Sequence, residues 1–465
     1  MVGHAPTAER QFRPPLDRDH LSDTLSALAR KHQVPGAQLA IHHGGETVAI
    51  EVGELEYGSG RRITQDAAFP IGSISKSFTA TLAMILVSDG DLELDAPLGE
   101  YLPELGDLGD DVTLRQLLSH TAGFANEPNH EVSTTTSIRR YVLDNCSRQN
   151  LLLTPGTCFS YSSVGYVLVG HLIEMVTGMN WWDAMESILL RPLRIEPTFI
   201  CAPGLQSLGR TLAMCHSVNI ALDRTRPVEE SLPLADAPTS GLAVSAVDLM
   251  TLGMTQIDGG MPALLPATYA EEMRQTVPNA EPLGGADGWG LGLAVFGKGT
   301  TTWVGHIGVM GGTYCDVRLD PSSGNVVAFT SNANTGRGMW WELVNELRRK
   351  GLDLPTRNHS GIEVLGRSTV PPPGCVGSYL NADYEVSIVA ANTGSLTLID
   401  GNKRTELIFF DDLSFAAREQ PSAVLGRFLR DSTTGKLDLI QIDESVVRRH
   451  RPHVETTLEV QALAV

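Results

Sequence analysis

FPIGSISKSFTATLAMILVSDGDLELD, residues 69–95, is the stretch whose reading decides the fold and the chemistry. Phe78, Leu82, Ile85 and Leu86 recur at i, i+4, i+7 and i+8, one apolar face of a helix, and Gly90 supplies its stop. Ser73 stands at the start of this predicted helix, so Lys76 lies one turn on and on the same face. A serine hydroxyl is inert at neutral pH unless a neighbour takes its proton. A lysine desolvated in a pocket has its pKa lowered enough to do so. Amide dipoles at a helix N-terminus add stabilisation for an anion formed there. Ser-x-x-Lys alone is a weak signal, because the pair arises roughly once or twice by chance in a chain this long, usually as an N-cap beside a solvated lysine.

Outward from this tract, the elements fall into three blocks. His20 to Lys31 has helical spacing, and Gln38 to Val52, broken by Gly44-Gly45, reads as a hairpin whose His42-His43 lies on an exposed strand. From about 72 to 255 the period is mostly helical, with segments Thr113–Leu118, Tyr166–Thr177, Trp181–Leu190 and Ala246–Ile257. GLGLAVF, TTWVGHIG, GGTYCDVRL and NVVAFTS, between 290 and 331, return to strand patterning, and a helix follows near Trp340–Arg349. RNHSGIEVLGRSTVPPPG, 357–374, is polar, ends in three prolines and reads as a stiff connector. Short strands with turns then recur, the pattern of a small antiparallel barrel. The expected organisation is a tail over 1–20, a catalytic domain over 21–356, a linker over 357–374 and a β-barrel domain over 375–455.

The length of 465 residues suits two domains, and 35 Lys plus Arg against 54 Asp plus Glu gives a net charge of −19. Such a surface repels phosphate backbones and anionic lipid, so neither nucleic acid nor a membrane is an expected partner. No apolar run approaches the roughly 20 residues of a membrane span, and the first thirty residues hold no apolar secretion region, so a cytoplasmic location is expected. Six cysteines, including Cys201, have no CxxC spacing and read as reduced core thiols rather than a metal site. GLAVFGKG at 292–299 has Gly299 where a phosphate loop needs Ser or Thr, and DGDLELDAPLGE at 89–100 has Leu94 where a calcium loop needs glycine. Trp181-Trp182 reads as core packing on a helix face.

Two more tracts change the weight of Ser73 and Lys76. TPGTCFSYSSVGYVLVGHLIE places Tyr161 just ahead of an apolar helix, and TTWVGHIGVMGG places His306 and Gly308 inside a strand. In order and context, SISK, Tyr161-Ser162-Ser163 and His306-Ile307-Gly308 resemble the serine β-lactamase and penicillin-binding-protein superfamily, nearest its class C, D-peptidase and esterase branch. LRQLLSHTAGF at 114–124, LLRPLRIEPT at 189–198 and GWGLGL at 288–293 agree, so the likeness covers about 25–350. It implies an α/β fold: a β-lactamase-like domain with a central antiparallel sheet from both chain ends and a helical subdomain, plus a lipocalin-like C-terminal barrel. Ser73 would form the acyl-enzyme, with Lys76 and Tyr161 sharing proton transfer. The backbone N–H groups of Ser73 and Val309 would hold the oxyanion.

Two positions depart from the pattern. Ser163 stands where Tyr-x-Asn is expected, either capping the following helix or making a polar substrate contact. His306 stands where many β-lactamases keep a cationic lysine, which weakens carboxylate recognition. The whole chain, including GMNWWDAMESILLRPLRIEPTFI at 178–200 and the added domain, most resembles stand-alone penicillin-binding-protein-type thioesterases. The resemblance implies no cofactor. It implies a peptidyl thioester with a D-configured acyl terminus, delivered by a carrier protein and released as a macrocycle. An esterase or transacylase acting on a small-molecule acyl donor, a D-stereospecific peptidase, and a catalytically silent receptor are the alternatives. Arg449, in the basic run VVRRHRPH at 446–453 with Arg448 and Arg451, is expected to reach the substrate.

Overall fold

In the computed structural model the chain forms two compact units, residues 1–358 and 359–465. The structure describes residues 16–127, 137–196, 198–200, 210–229, 232–297, 302–355, 367–390, 395–417, 424–431 and 434–450. Cys201, Gly299, Arg451, most of the 357–374 connector and the first fifteen residues of the tail lie outside them.

The first unit is built on a seven-stranded antiparallel sheet. Its strands are β1 (Gly36–His43), β2 (Glu46–Gly53), β3 (Gly288–Trp289), β4 (Ala294–Phe296), β5 (Trp303–Met310), β6 (Thr313–Asp320) and β7 (Asn325–Ser331). Their order, β2-β1-β7-β6-β5-β4-β3, joins the N-terminal hairpin to the later strands through β1–β7. The sheet is covered on both faces. Helices α1 (Arg18–Lys31) and α5 (Gly336–Arg349) pack on one, with Gly336 against Tyr314. Helix α4 (Ala246–Met254) packs on the other, its Gly253 against Val317 and Leu319. Residues of opposite parity on one strand point to opposite faces. Every residue of β6 and β7 is consequently buried. Burial also corrects one expectation: His43, predicted on an exposed strand, is enclosed because β1 is an inner strand, and its Nδ1 lies 2.9 Å from Asn325 Oδ1.

Helix α2 (Ser75–Asp89) follows the Gly72–Ile74 3₁₀ turn that carries Ser73, and Gly90 ends it with a left-handed φ of 85°. The spacing suggests one apolar face, yet Ser75 to Leu86 are all buried, because α2 runs between the sheet domain and α3 (Ser163–Thr177). Its hydroxyls reach carbonyls: Ser77 donates to Gly292 O at 2.8 Å and Thr79 to Pro238 O at 2.8 Å, while Ser75 Oγ accepts from Leu242 N at 3.1 Å. Polar residues on the far face are thus core residues here, satisfied one by one.

The 3₁₀ turn and β5 approach each other too closely for side chains. A Cβ on Gly308 would lie 1.8 Å from Ile71 O, and one on Gly72 would lie 2.6 Å from Val309 O. Gly72 also has a φ of +50°, where a side chain adds strain.

The second unit is a closed antiparallel barrel of eight strands: β8 (Gly377–Asn381), β9 (Tyr384–Ala390), β10 (Leu396–Asp400), β11 (Lys403–Phe410), β12 (Ser414–Ala417), β13 (Val424–Leu429), β14 (Leu439–Ile442) and β15 (Ser445–Arg449). Neighbours in sequence pair, and β8 with β15 closes the ring, leaving no unpaired edge strand among the eight. Alternate residues point inward. Phe409, Phe415 and Phe428 meet there with ring centroids 5.5 to 6.3 Å apart. Ser368–Thr369, within the stretch read as a connector, already pairs with β11.

Gly308→Ala is expected to destabilise the protein by about 1–3 kcal/mol, the usual cost of forcing an extra group into packed structure. Urea unfolding measures it; an unchanged midpoint would mean that β5 and the turn separate freely.

Candidate active site

Ser73 is held by the 3₁₀ turn at the mouth of α2, half-exposed, with β5 alongside. One turn on, Lys76 is only 1% exposed. Its Nζ donates to Ser73 Oγ at 3.3 Å and to Thr239 O at 3.4 Å, and lies 5.1 Å from the Tyr161 ring centroid. Burial is the main influence on this amine and lowers its pKa to about 8, while the negative charges of Glu127 and Asp236 pull it back up. Asp236 in turn is raised to about 6, mainly by burial and then by Glu127, with Lys76 opposing.

Tyr161 precedes α3, whose N-cap is Ser162: Oγ accepts from Gly165 N at 3.0 Å and donates to Ala125 O at 2.7 Å. Ser163, one of whose two expected roles was capping, is therefore not the cap. Its Oγ donates to Glu127 Oε1 at 3.1 Å, so the hydroxyl in place of the expected amide faces a carboxylate.

His306 lies on β5 opposite Val317, hence on the sheet face that carries α4 rather than α5. Its Nδ1–H donates to Ile307 O at 2.7 Å, so in the neutral ring Nε2 carries no proton. That Nε2 is buried with no hydrogen-bond partner among the described residues. Burial, aided by the charges of Lys76 and Arg318, drives the His306 pKa down to about 3 although the Ile307 carbonyl works the other way. Burial thus favours the neutral ring of His306, which is a poor stand-in for a cationic lysine.

Ser73, Lys76, Tyr161 and His306 are brought together, the Tyr161 and His306 rings lying 6.4 Å apart with Trp289 edge-on to both. Gly308 supplies the close approach of β5 to the serine turn, and the Val309 main chain lies against Gly72 while its side chain is 48% exposed. Arg449 belongs to the barrel unit, where its guanidinium donates to Asp438 Oδ1 at 3.1 Å, to Val376 O at 2.9 Å, and to Gly374 O and the Tyr379 hydroxyl. These partners give it a bracing role within the barrel.

Sequence reasoning missed Glu127, Asp236, Trp289 and His120. His120 stacks on Tyr161 with centroids 4.2 Å apart. The tract LRQLLSHTAGF was noticed as a family likeness, but nothing in its spacing aims that imidazole at Tyr161. Among the described residues no group of three or more His, Cys, Asp or Glu is placed to hold a metal, and no helix is long and apolar enough to cross a membrane. The five described cysteines are buried.

Comparison with known proteins agrees with this geometry. The β-lactamase family model matches residues 21–346. Penicillin-binding protein 4 of Amycolatopsis lactamdurans is 31% identical over 344 residues, covering 72% of this chain and 90% of that protein. The crystal structure of SurE superposes with a TM-score of 0.82 at 36% identity, over 93% of this chain and 99% of that one. D-amino acid amidase of Ochrobactrum anthropi shares the fold, with a TM-score of 0.60 at 24% identity over 71% of this chain and 98% of that one. A serine beside a buried lysine and a tyrosine, on this sheet and in this order along the chain, accords with those matches: the protein belongs to the β-lactamase and penicillin-binding-protein superfamily of serine hydrolases and acyltransferases.

Proposed function

We propose that the chain is a trans-acting thioesterase that takes a peptidyl thioester from a carrier protein onto Ser73 and releases the peptide as a macrocycle. The observation that carries the acyl-transfer chemistry is the buried Lys76 amine 3.3 Å from Ser73 Oγ. In the neutral state that burial favours, Lys76 accepts the Ser73 proton as Oγ attacks the thioester carbonyl. The oxyanion is received by the backbone N–H groups of Ser73 and Val309. Tyr161 passes a proton to the departing thiol, leaving the acyl-enzyme. In release, the peptide's own amine attacks the ester, its surplus proton goes to the Tyr161–Lys76 couple, and Ser73 Oγ leaves as the hydroxyl.

The likeness to SurE covers 93% of the chain and so extends beyond the β-lactamase family match, which ends at residue 346. A D-configured acyl terminus is supported by a solved structure of SurE with D-Leu, at 35% identity and a TM-score of 0.81. Neutral His306 favours an acyl chain that continues through the site over a free carboxylate that needs a cation. The same neutral ring fits an esterase or transacylase that passes a small-molecule acyl group to another acceptor.

Three results are expected. Intact-mass analysis with a thioester mimic shows one acyl adduct on the wild type and none on Ser73→Ala; an adduct on the variant removes the nucleophile assignment. Acylation by a small activated ester rises with pH and levels off above about 8, because Lys76 must lose its proton to act as base. Glu127→Gln shifts that rise to lower pH, since the carboxylate favours the ammonium. A flat profile from about 6 to 9 assigns the proton transfer to another group. Finally, paired epimeric thioesters separate the readings: the D epimer is preferred, and equal kcat/KM for the two leaves the general esterase.

A further inference from the structure

His120 follows the short helix Leu114–Leu118 and has a left-handed φ of 58°. For a residue with a Cβ this conformation costs on the order of 1 kcal/mol and persists only where surrounding contacts require it. Three of its contacts converge on one short segment. The His120 carbonyl accepts from Ser160 N at 2.9 Å, and ring Nδ1 accepts from Ser162 N at 3.1 Å. The ring stacks on the residue between them, Tyr161, at 4.2 Å with an interplanar angle of 29°. Trp289 and Phe159 meet the same imidazole edge-on, at 5.2 and 5.7 Å.

A single residue thus grips the peptide on both sides of Tyr161, by its carbonyl on one side and its ring on the other, and its ring lies against the Tyr161 ring. The Ser162 N–H occupies Nδ1, so the neutral ring must carry its proton on Nε2. A doubly protonated ring would lose the acceptor and open one side of the grip. Burial, then the charge of Lys76, holds the His120 pKa well below its ordinary value, which keeps the acceptor in place.

We propose that His120 is the positioning residue for Tyr161, fixing the phenol toward Lys76 and Ser73 through the Ser160 and Ser162 amides and the ring stack. The proposal rests on the proton-transfer role proposed above for Tyr161. It does not depend on the identity of the acyl donor.

The test is a double-mutant cycle on single-turnover acylation by a small activated ester, a substrate indifferent to the macrocyclase reading. Tyr161→Phe alone is expected to slow acylation about a hundredfold, the scale of a lost acid–base group. His120→Ala is expected to slow it at least about tenfold while leaving the ester concentration for half-saturation within about twofold. Combining the two should cost less than about threefold beyond Tyr161→Phe alone, because the imidazole acts through a phenol already removed. His120→Asn restores an acceptor near the Nδ1 position and tolerates a left-handed φ, so it should recover much of the loss. If the alanine variant does not fold, His120→Gly, which accepts the left-handed φ and also lacks the imidazole, completes the same cycle. Near-normal acylation by folded His120→Ala or His120→Gly, or fully additive losses, overturns the proposal and leaves the role of Tyr161 standing. A normal rate for Tyr161→Phe overturns that role, and the proposal with it.

Discussion

The burial of the Lys76 amine is the constraint on which the rest of the site depends. An exposed lysine would stay protonated at neutral pH and could not take the Ser73 proton. Here α2 is enclosed between the sheet domain and α3, so the amine has Ser73 Oγ, the Thr239 carbonyl and the faces of Tyr161 and Tyr166 around it in place of water. Burying a charge is costly, and lowering the pKa to about 8 relieves part of that cost by bringing the neutral form within reach. The two carboxylates that oppose this shift, Glu127 and Asp236, keep the ammonium accessible as well. A base that must also return its proton is served by a pKa near the working pH.

Both histidines of the site are held neutral by the same burial, with opposite tautomers. A backbone carbonyl takes the Nδ1 proton of His306, and a backbone N–H occupies Nδ1 of His120. One ring therefore carries a bare Nε2 and the other an Nε2–H, both rings lying near Tyr161. Charge in the pocket is left to Lys76 and the carboxylates, and this separates the site from one built to anchor a free carboxylate on a cation.

The sequence made much of this legible for reasons that are local. Periodicity located the hairpin of β1 and β2, the strands β5 to β7 and the helices around Ser73 and Tyr161, because period 2 and period 3.6 survive burial of one face. It misread α2 as one-faced, since Ser75, Ser77 and Thr79 look solvated until their main-chain partners, far off in sequence at the Leu242 N–H and the Gly292 and Pro238 carbonyls, are known. It placed His43 at the surface, because strand position within a sheet is set by pairing and not by composition.

Ser73 and Lys76 were readable together because a single helical turn joins them, and Tyr161 and His306 because their flanking tracts match a known family. The roles of His120, Glu127 and Asp236 came only with the tertiary structure: each acts on a residue at least forty positions away in the chain, and no spacing rule relates them. The same holds for Arg449. A run of arginines in an acidic chain suggests a ligand, and only the folded barrel shows which partners the guanidinium has there, Asp438 and the carbonyls of Gly374 and Val376. Sequence alone determined which groups could do the chemistry. Tertiary packing decided which of them are charged, because protonation depends on burial and on neighbours that the chain brings in from a distance.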